Sequence, residues 1–128
     1  MPRNRKSAKA AGARFEQLIA DGLAEALDDD RIERRKSRGA NDRGDIAGVR
    51  LHGQRVVVEC KDITRGLNLP EWTSEAQKQA GNDDALVGVV AHKRHGSGNP
   101  LDQWISMTVA DFAAILTGER CHWVERMA

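Results

Sequence analysis

Apolar residues recur every three or four positions near the start of the chain, which is the spacing of one face of a helix. The segment runs from about Ser7 to Leu27, and the acidic residues 28–30 follow it. Negative charge is unfavourable at a helix C-terminus, so these residues are expected to begin a loop. The repeating apolar positions are Phe15, Leu18, Ile19, Leu23, Ala26 and Leu27. The pattern predicts an amphipathic helix.

Two further helices are predicted from residues that favour helix ends. The second covers Pro70–Ala80, with Asn68 as its N-cap, and proline is well tolerated in a first turn. The third begins after Thr108, continues through Leu116 and ends before Gly118. Glycine is the residue most often found just beyond a helix C-terminus.

The remaining ordered segments have the pattern of strands. A short strand is expected around Arg31–Lys36, followed by a loop rich in Gly, Asn, Asp and Ser, and then by a hairpin over residues 44–61. The apolar run "ALVGVVAHKR" predicts a strand buried on both faces, and "DQWISMT" alternates like its partner. The order helix, strands, helix, strands, helix predicts an α/β domain whose mixed β-sheet is flanked by helices.

The hairpin carries three charged residues that can share one small region, Asp45, Glu59 and Lys61. Two carboxylates at one spot repel each other unless a proton or a cation lies between them, and Mg²⁺ commonly takes one or two carboxylates. A lysine beside such an ion can orient a water or stabilise charge on a phosphate. The alternative is a simple ion pair of Lys61 with Glu59 or Asp62 at an exposed strand end.

The turn decides whether Asp45 reaches the same face as Glu59. A three-residue loop over 51–53 sets the two residues opposite each other, and glycine suits its third position. A two-residue turn at 52–53 would instead pair Asp45 with Cys60 and send the two acids to opposite faces. The residue types allow the first arrangement without requiring it.

The charges of this 128-residue chain are sorted along it, although the net charge is only +1. Residues 1–14 carry five basic and no acidic side chains, and residues 31–43 carry six basic and two acidic ones. Such sorting favours a surface that binds a polyanion such as nucleic acid, and a solvated tail and turn is the alternative. Length predicts a single domain over 1–128, with a basic tail over about 1–9.

Composition argues against several other classes of protein. No apolar run approaches the roughly 18 residues that a membrane-spanning helix needs, and no signal-peptide pattern follows the basic start. We therefore expect a soluble intracellular protein that has no membrane partner. Cys60 and Cys121 lack metal-ligand spacing and predict reduced, structural thiols.

The stretch "GDI" followed by "VVVECK" resembles the signature of the PD-(D/E)xK nuclease superfamily, with Gly44 where the signature has proline. Asp45, Glu59 and Lys61 occupy the motif positions. The preceding helix with Glu16 in "GARFEQLIA", and the basic loop before Asp45, are similar to the archaeal-type and phage Holliday junction resolvases of this superfamily. The resemblance covers about residues 10–110, and its motifs are short.

The resemblance implies a restriction-endonuclease-like core and Mg²⁺-dependent hydrolysis of DNA, with Mn²⁺ able to substitute and no small-molecule cofactor. It implies that Asp45, Glu59, Glu16 and the backbone carbonyl of Cys60 hold the metal, while Lys61 positions the attacking water. It also implies a homodimer that nicks a four-way junction in the cytoplasm of a bacterium or a phage-infected host. A repair nuclease, a restriction-type nuclease or a nickase of the same superfamily would carry the same triad, and a non-catalytic DNA-binding module is the other alternative. The residues expected to contact DNA come from the second basic segment: Arg34, Arg35, Lys36, Ser37, Arg38 and Arg43.

Other polar and aromatic residues have weaker patterns. Glu75 and Gln79 lie one helical turn apart and can face the same site, although a position on the helix surface is favoured. Trp72 and Trp104 are expected in the core. No pair of histidines has the spacing of a metal site or a catalytic triad.

Overall fold

The computed structural model describes residues 4–36 and 39–120. Ser37, Arg38 and Cys121, for which roles were predicted, lie outside these residues. Helix α1 spans Arg5–Leu27, and the side chain of Asn4 accepts a hydrogen bond from the Ser7 backbone at 2.8 Å. The first predicted helix is therefore confirmed, and it begins two residues earlier, so that part of the basic N-terminal segment is helical.

The other two predicted helices are also confirmed. Helix α2 spans Leu69–Asn82, with Asn68 as its N-cap, and α3 spans Val109–Thr117, with Thr108 as its N-cap. Short 3₁₀ turns occupy Gly39–Asn41 and Pro100–Asp102. Within the described residues, no helix is long and apolar enough to cross a membrane.

The described strands form one mixed sheet flanked by the helices, which confirms the predicted α/β class. The strands are β1 Glu33–Arg34, β2 Ile46–Ala47, β3 Arg50–Leu51, β4 Gln54–Lys61, β5 Val87–His92 and β6 Trp104–Ser106. Their order in the sheet is β1-β2-β4-β5-β6, and β3 pairs with β4. Strands β4 and β5 run parallel, and the other pairs are antiparallel.

The two central strands are covered on both faces, which explains the continuous apolar run of β5. On one face, Val58 of β4 packs in the core cluster that contains Phe15 of α1. On the opposite face, Val57 packs with Ala80 of α2. Because side chains alternate along a strand, the odd-numbered residues of β4 point toward α2. Glu59 and Lys61 belong to that face.

Of the two turns that the sequence allowed, the hairpin closes with the two-residue turn at His52 and Gly53 and not with the three-residue loop. Leu51 pairs with Gln54 across this turn. Both turn residues have positive φ, 49° and 81°, as a type I′ turn requires, and this turn matches the twist of paired strands.

A bulge at Gly48 nevertheless produces the predicted relation between the two acids. Strand β4 pairs Arg55 with Arg50 but Val58 with Ile46, so the opposite side holds one residue more between the two pairs. Continuing the second register by one residue sets Asp45 opposite Glu59. Gly48 has φ +88°, and a Cβ there would lie 2.4 Å from the Arg31 carbonyl oxygen, so glycine is required at this bulge.

Candidate metal centre and adjoining basic cleft

Asp45 and Glu59 form a buried pair of carboxyl groups on neighbouring strands. Asp45 Oδ2 accepts a hydrogen bond of 2.7 Å from the backbone N–H of Cys60. The two carboxyl groups are close enough to share a hydrogen bond when one of them is protonated. Glu59 is only 6% exposed, and its buried Oε2 receives no hydrogen bond from any donor of the described residues.

Burial raises the pKa of both acids, by very different amounts. Burial raises the pKa of Asp45 to about 6, and the hydrogen bond from Cys60 limits this rise because it stabilises the ionised form. The pKa of Glu59 rises to about 9, first through burial and then through the negative charges of Asp45 and Glu75. At neutral pH the pair therefore shares one proton and carries one negative charge. A cation placed between the two oxygens would replace that proton.

Lys61 joins this pair to helix α2. Its Nζ lies 3.9 Å from Glu59 Oε1 and 3.3 Å from Glu75 Oε2. The lysine side chain is 22% exposed and the Glu75 side chain 39% exposed. The simple alternative, an ion pair at an exposed strand end, therefore describes only part of what Lys61 contacts, because Glu59 is buried and Glu75 belongs to another element.

The favoured surface position of Gln79 is wrong, since this side chain is only 6% exposed. It lies one turn after Glu75 on the face of α2 that covers the odd-numbered side of β4. Both residues line a small cleft of about 220 Å³ between α2 and the turn over 39–41. The four-residue spacing predicted that Glu75 and Gln79 share one face of α2. The packing of α2 against the sheet turns this face toward β4.

Glu16 approaches the pair without joining it in a three-acid cluster. Its Oε2 lies 2.7 Å from Arg34 Nε, in an ion pair between α1 and β1. Its negative charge contributes to the raised pKa of Asp45 and of the Cys60 thiol. Over residues 4–36 and 39–120, no group of three or more His, Cys, Asp or Glu side chains is arranged to hold a metal ion. Asp45 and Glu59 are the two predicted metal ligands that the structure brings together as a buried pair.

Cys60 adjoins Asp45 through its backbone, while its side chain belongs to the core on the α1 face. Burial raises the pKa of this thiol far above its usual range. The free, buried thiol predicted for Cys60 is confirmed.

A basic cleft of about 470 Å³ lies beside the acidic pair, and we call it the arginine cleft. The backbone N–H of Arg35 donates to the Asp45 carbonyl at 2.7 Å, which ties the cleft wall to the strand that carries the acid. Four of the six residues predicted to contact DNA line this cleft. Its lining residues are Glu33, Arg34, Arg35, Lys36, Arg43, Ala47, Arg55 and Asp83.

Two important residues of this cleft, Arg55 and Asp83, were not predicted from the sequence. Arg55 lies at the start of β4, outside both basic segments, and Asp83 is the C-cap of α2. Their partnership depends on the packing of α2 against the sheet.

Comparison with protein-family models, with curated proteins and with solved structures finds no significant match to this chain.

Proposed function

We propose that this protein is a Mg²⁺-dependent DNA endonuclease of the PD-(D/E)xK superfamily, with a restriction-endonuclease-like core, and that its substrate is a four-way DNA junction. The single observation that carries the proposal is the buried Asp45–Glu59 pair, with Lys61 on the same face of β4. The motif resemblance of the sequence supports the same assignment.

The acid pair is costly as a purely structural feature. A buried carboxyl group without a full set of hydrogen bonds costs on the order of 1–3 kcal/mol, and a second one adjacent to it adds repulsion. Apolar side chains fill most of the neighbouring positions of β4 and would fit here at lower cost. A cation recovers this energy by neutralising the pair, and the partnerless Glu59 Oε2 is an available ligand atom.

The residues around the pair suit hydrolysis of a phosphodiester. Asp45 and Glu59 would hold the metal, which supplies charge neutralisation at the phosphate when bound. Lys61 Nζ lies 3.9 Å from Glu59 and 3.3 Å from Glu75, so its ammonium group is positioned beside the acid pair. From there it can donate a hydrogen bond to the attacking water or to a phosphate oxygen. Water adds to phosphorus as the bond to the leaving sugar oxygen breaks. The attacking water gives up one proton to solvent, and the leaving oxygen takes up one proton from solvent.

DNA is the substrate class that the arginine cleft favours. The cleft adjoins the acid pair and contains five basic residues against two acidic ones. Basic side chains beside an acidic metal site match a phosphate backbone, and they provide the salt-dependent part of DNA affinity. A non-catalytic DNA-binding module is the second candidate, since the cleft alone would support it.

A nuclease assay separates these candidates. The full chain is incubated with a labelled four-way junction and with its linear duplex arms, in Mg²⁺, in Mn²⁺ and in chelator. We expect paired nicks in the junction with either metal, slower cleavage of the arms, and none in chelator. Equal cleavage of junction and arms would replace the resolvase by a general nuclease. Binding without cleavage of either DNA would leave the binding module.

A further inference from the structure

We propose that the arginine cleft is a phosphate subsite, in which Arg43 and Arg55 bind the backbone of the DNA at a distance from the bond that is cut. This proposal rests on the proposed function, because it assigns a second contact of the same DNA.

Three guanidinium groups from separate parts of the chain converge on one buried carboxylate. Asp83 is 6% exposed, and its carboxylate oxygens lie 3.4 Å from Arg55, 3.8 Å from Arg35 and 4.0 Å from Arg43. Arg55 also donates twice to the Asp83 carbonyl oxygen, at 2.9 and 2.6 Å. The arginines come from β4, from the segment after β1 and from the loop before β2.

This arrangement leaves excess positive charge facing solvent. Asp83 supplies one negative charge for three arginines, and it lies behind them. The Arg43 and Arg55 side chains are 48% and 44% exposed. An incoming oxyanion can therefore reach Arg43 and the Arg55 donor that does not bind the Asp83 carbonyl. Arginine binds phosphate through two parallel N–H bonds, a geometry that a carboxylate partner at 4.0 Å does not saturate.

Arg34 differs from these residues, although it lines the same cleft. Its Nε is 2.7 Å from Glu16, so its charge is compensated locally. We therefore assign the phosphate contact to Arg43 and Arg55, with Arg35 behind them at 20% side-chain exposure.

The subsite lies at a useful distance from the acid pair. Arg55 and Glu59 are on one face of β4, four residues apart, which corresponds to about 13 Å along a strand. A DNA strand places a phosphate about every 3.4 Å along the helix axis. A phosphate in the cleft would therefore belong to the same DNA, a few nucleotides from the bond at the acid pair, and would fix its register.

The test measures DNA affinity without cleavage. Fluorescence anisotropy with a labelled four-way junction, in chelator and over a series of salt concentrations, compares the parent with Arg43→Gln, Arg55→Gln and the double variant. We expect each single variant to bind about 10-fold more weakly, as for loss of one charge-assisted hydrogen bond. The slope of log affinity against log salt should become shallower by about 0.9 for each lost phosphate contact.

Arg31→Gln is the matched control. It removes one positive charge from the same basic segment, but Arg31 pairs with Asp29 at 2.9 Å outside the cleft. We expect it to retain the parental slope. An equal loss in Arg31→Gln would show a diffuse field of charge and overturn the subsite.

Folding is controlled by thermal melts of every variant. If loss of the Asp83 contacts unfolds Arg55→Gln, then Arg43→Gln decides, because its side chain makes only the longest of the three contacts. Parental affinity and slope in Arg43→Gln would overturn the subsite even if the parent cleaves junctions. Weakened binding in a protein that never cleaves would instead keep the subsite and remove the nuclease.

Discussion

Burial determines the protonation of Glu59 more than any neighbouring charge does. Desolvation is the largest cause of its raised pKa, and the charges of Asp45 and Glu75 add to it. Asp45 is also buried, but the N–H of Cys60 stabilises its ionised form. The two carboxyl groups on adjacent strands thus share one proton at neutral pH, and a bound metal can displace that proton.

The first prediction concerns the pH dependence of stability in chelator. Folded Glu59 keeps its proton up to a pKa of about 9, whereas the unfolded chain releases it near the ordinary value of 4.5. Between these values the folded state binds more protons, so the free energy of unfolding falls as pH rises, by at most about 1.4 kcal/mol per pH unit. Glu59→Gln should flatten this decline and be more stable than the parent at the alkaline end. Urea melts from acid to alkaline pH check this, and parallel curves for the two proteins would refute it.

Strand β4 is the element that brings the site together. Its face toward α2 carries Arg55 at one end and Glu59 and Lys61 at the other, with apolar Val57 between them. The Glu-x-Lys spacing was sufficient to predict that Glu59 and Lys61 share a face. The position of Asp45 depended on a turn that the sequence left open. The structure has the shorter turn, and an unforeseen bulge compensates for it, so Asp45 still lies opposite Glu59. A bulge depends on a tertiary contact with the Arg31 backbone, which local residue preferences do not encode.

The second prediction tests the bulge through two glycines of the same hairpin. Gly48 and Gly53 both have positive φ, 88° and 81°, but a Cβ meets the Arg31 carbonyl only at Gly48, and open space surrounds Gly53. Gly53→Ala should lose about 1–2 kcal/mol of stability through its backbone conformation. Gly48→Ala should lose about 1–3 kcal/mol more through the clash, and should lower junction cleavage because Asp45 shifts against Glu59. Thermal melts and cleavage rates provide the comparison. Equal stability of the two variants would contradict the role of the bulge.

At the scale of the whole molecule, the face formed by β6, α3 and the start of α2 is unusually apolar for a surface. Ile105, Val109, Phe112 and Leu116 are between 51% and 83% exposed. Ile105 belongs to β6, which ends the described sheet, and the other three residues belong to α3. Exposed apolar patches of several hundred Å² mark interaction sites, and an edge strand can pair antiparallel with its own copy about a two-fold axis. A second copy of this chain is the partner we propose, since two symmetric nicks need two acid pairs.

The third prediction follows for the oligomeric state. Sedimentation should show a dimer of the parent, and Val109→Glu should shift it to monomer because two buried charges would oppose each other across the axis. Val109 is 83% exposed, so the change leaves the monomer folded. Leu27→Glu, at a 55% exposed residue near the end of α1, is the control and should remain dimeric. A parent that stays monomeric at high micromolar concentration, with and without junction DNA, would count against the symmetric resolvase.

The fold class, the helices and the shared face of Glu59 and Lys61 could be predicted from the sequence because they depend on local periodicity and end signals. Sequence reasoning missed what depends on which elements pack together. The contacts of Asp83 with Arg55 and of Glu75 with Lys61 join residues far apart in sequence, and the inward face of Gln79 follows from the packing of α2. The basic segment was identified by charge alone, and only the structure separates the compensated Arg34 from the exposed Arg43.

Cleavage of a four-way junction by folded Asp45→Asn and Glu59→Gln, measured under single turnover in Mg²⁺, tests the central claim most directly. Each substitution keeps the side-chain shape but removes a metal-binding oxygen, so the rate should fall at least about 100-fold. Affinity for the junction in chelator should stay equal or rise, because a negative charge that repels the backbone is reduced or unchanged. Near-parental cleavage by either variant would contradict the assignment of this acid pair as the metal centre of a nuclease.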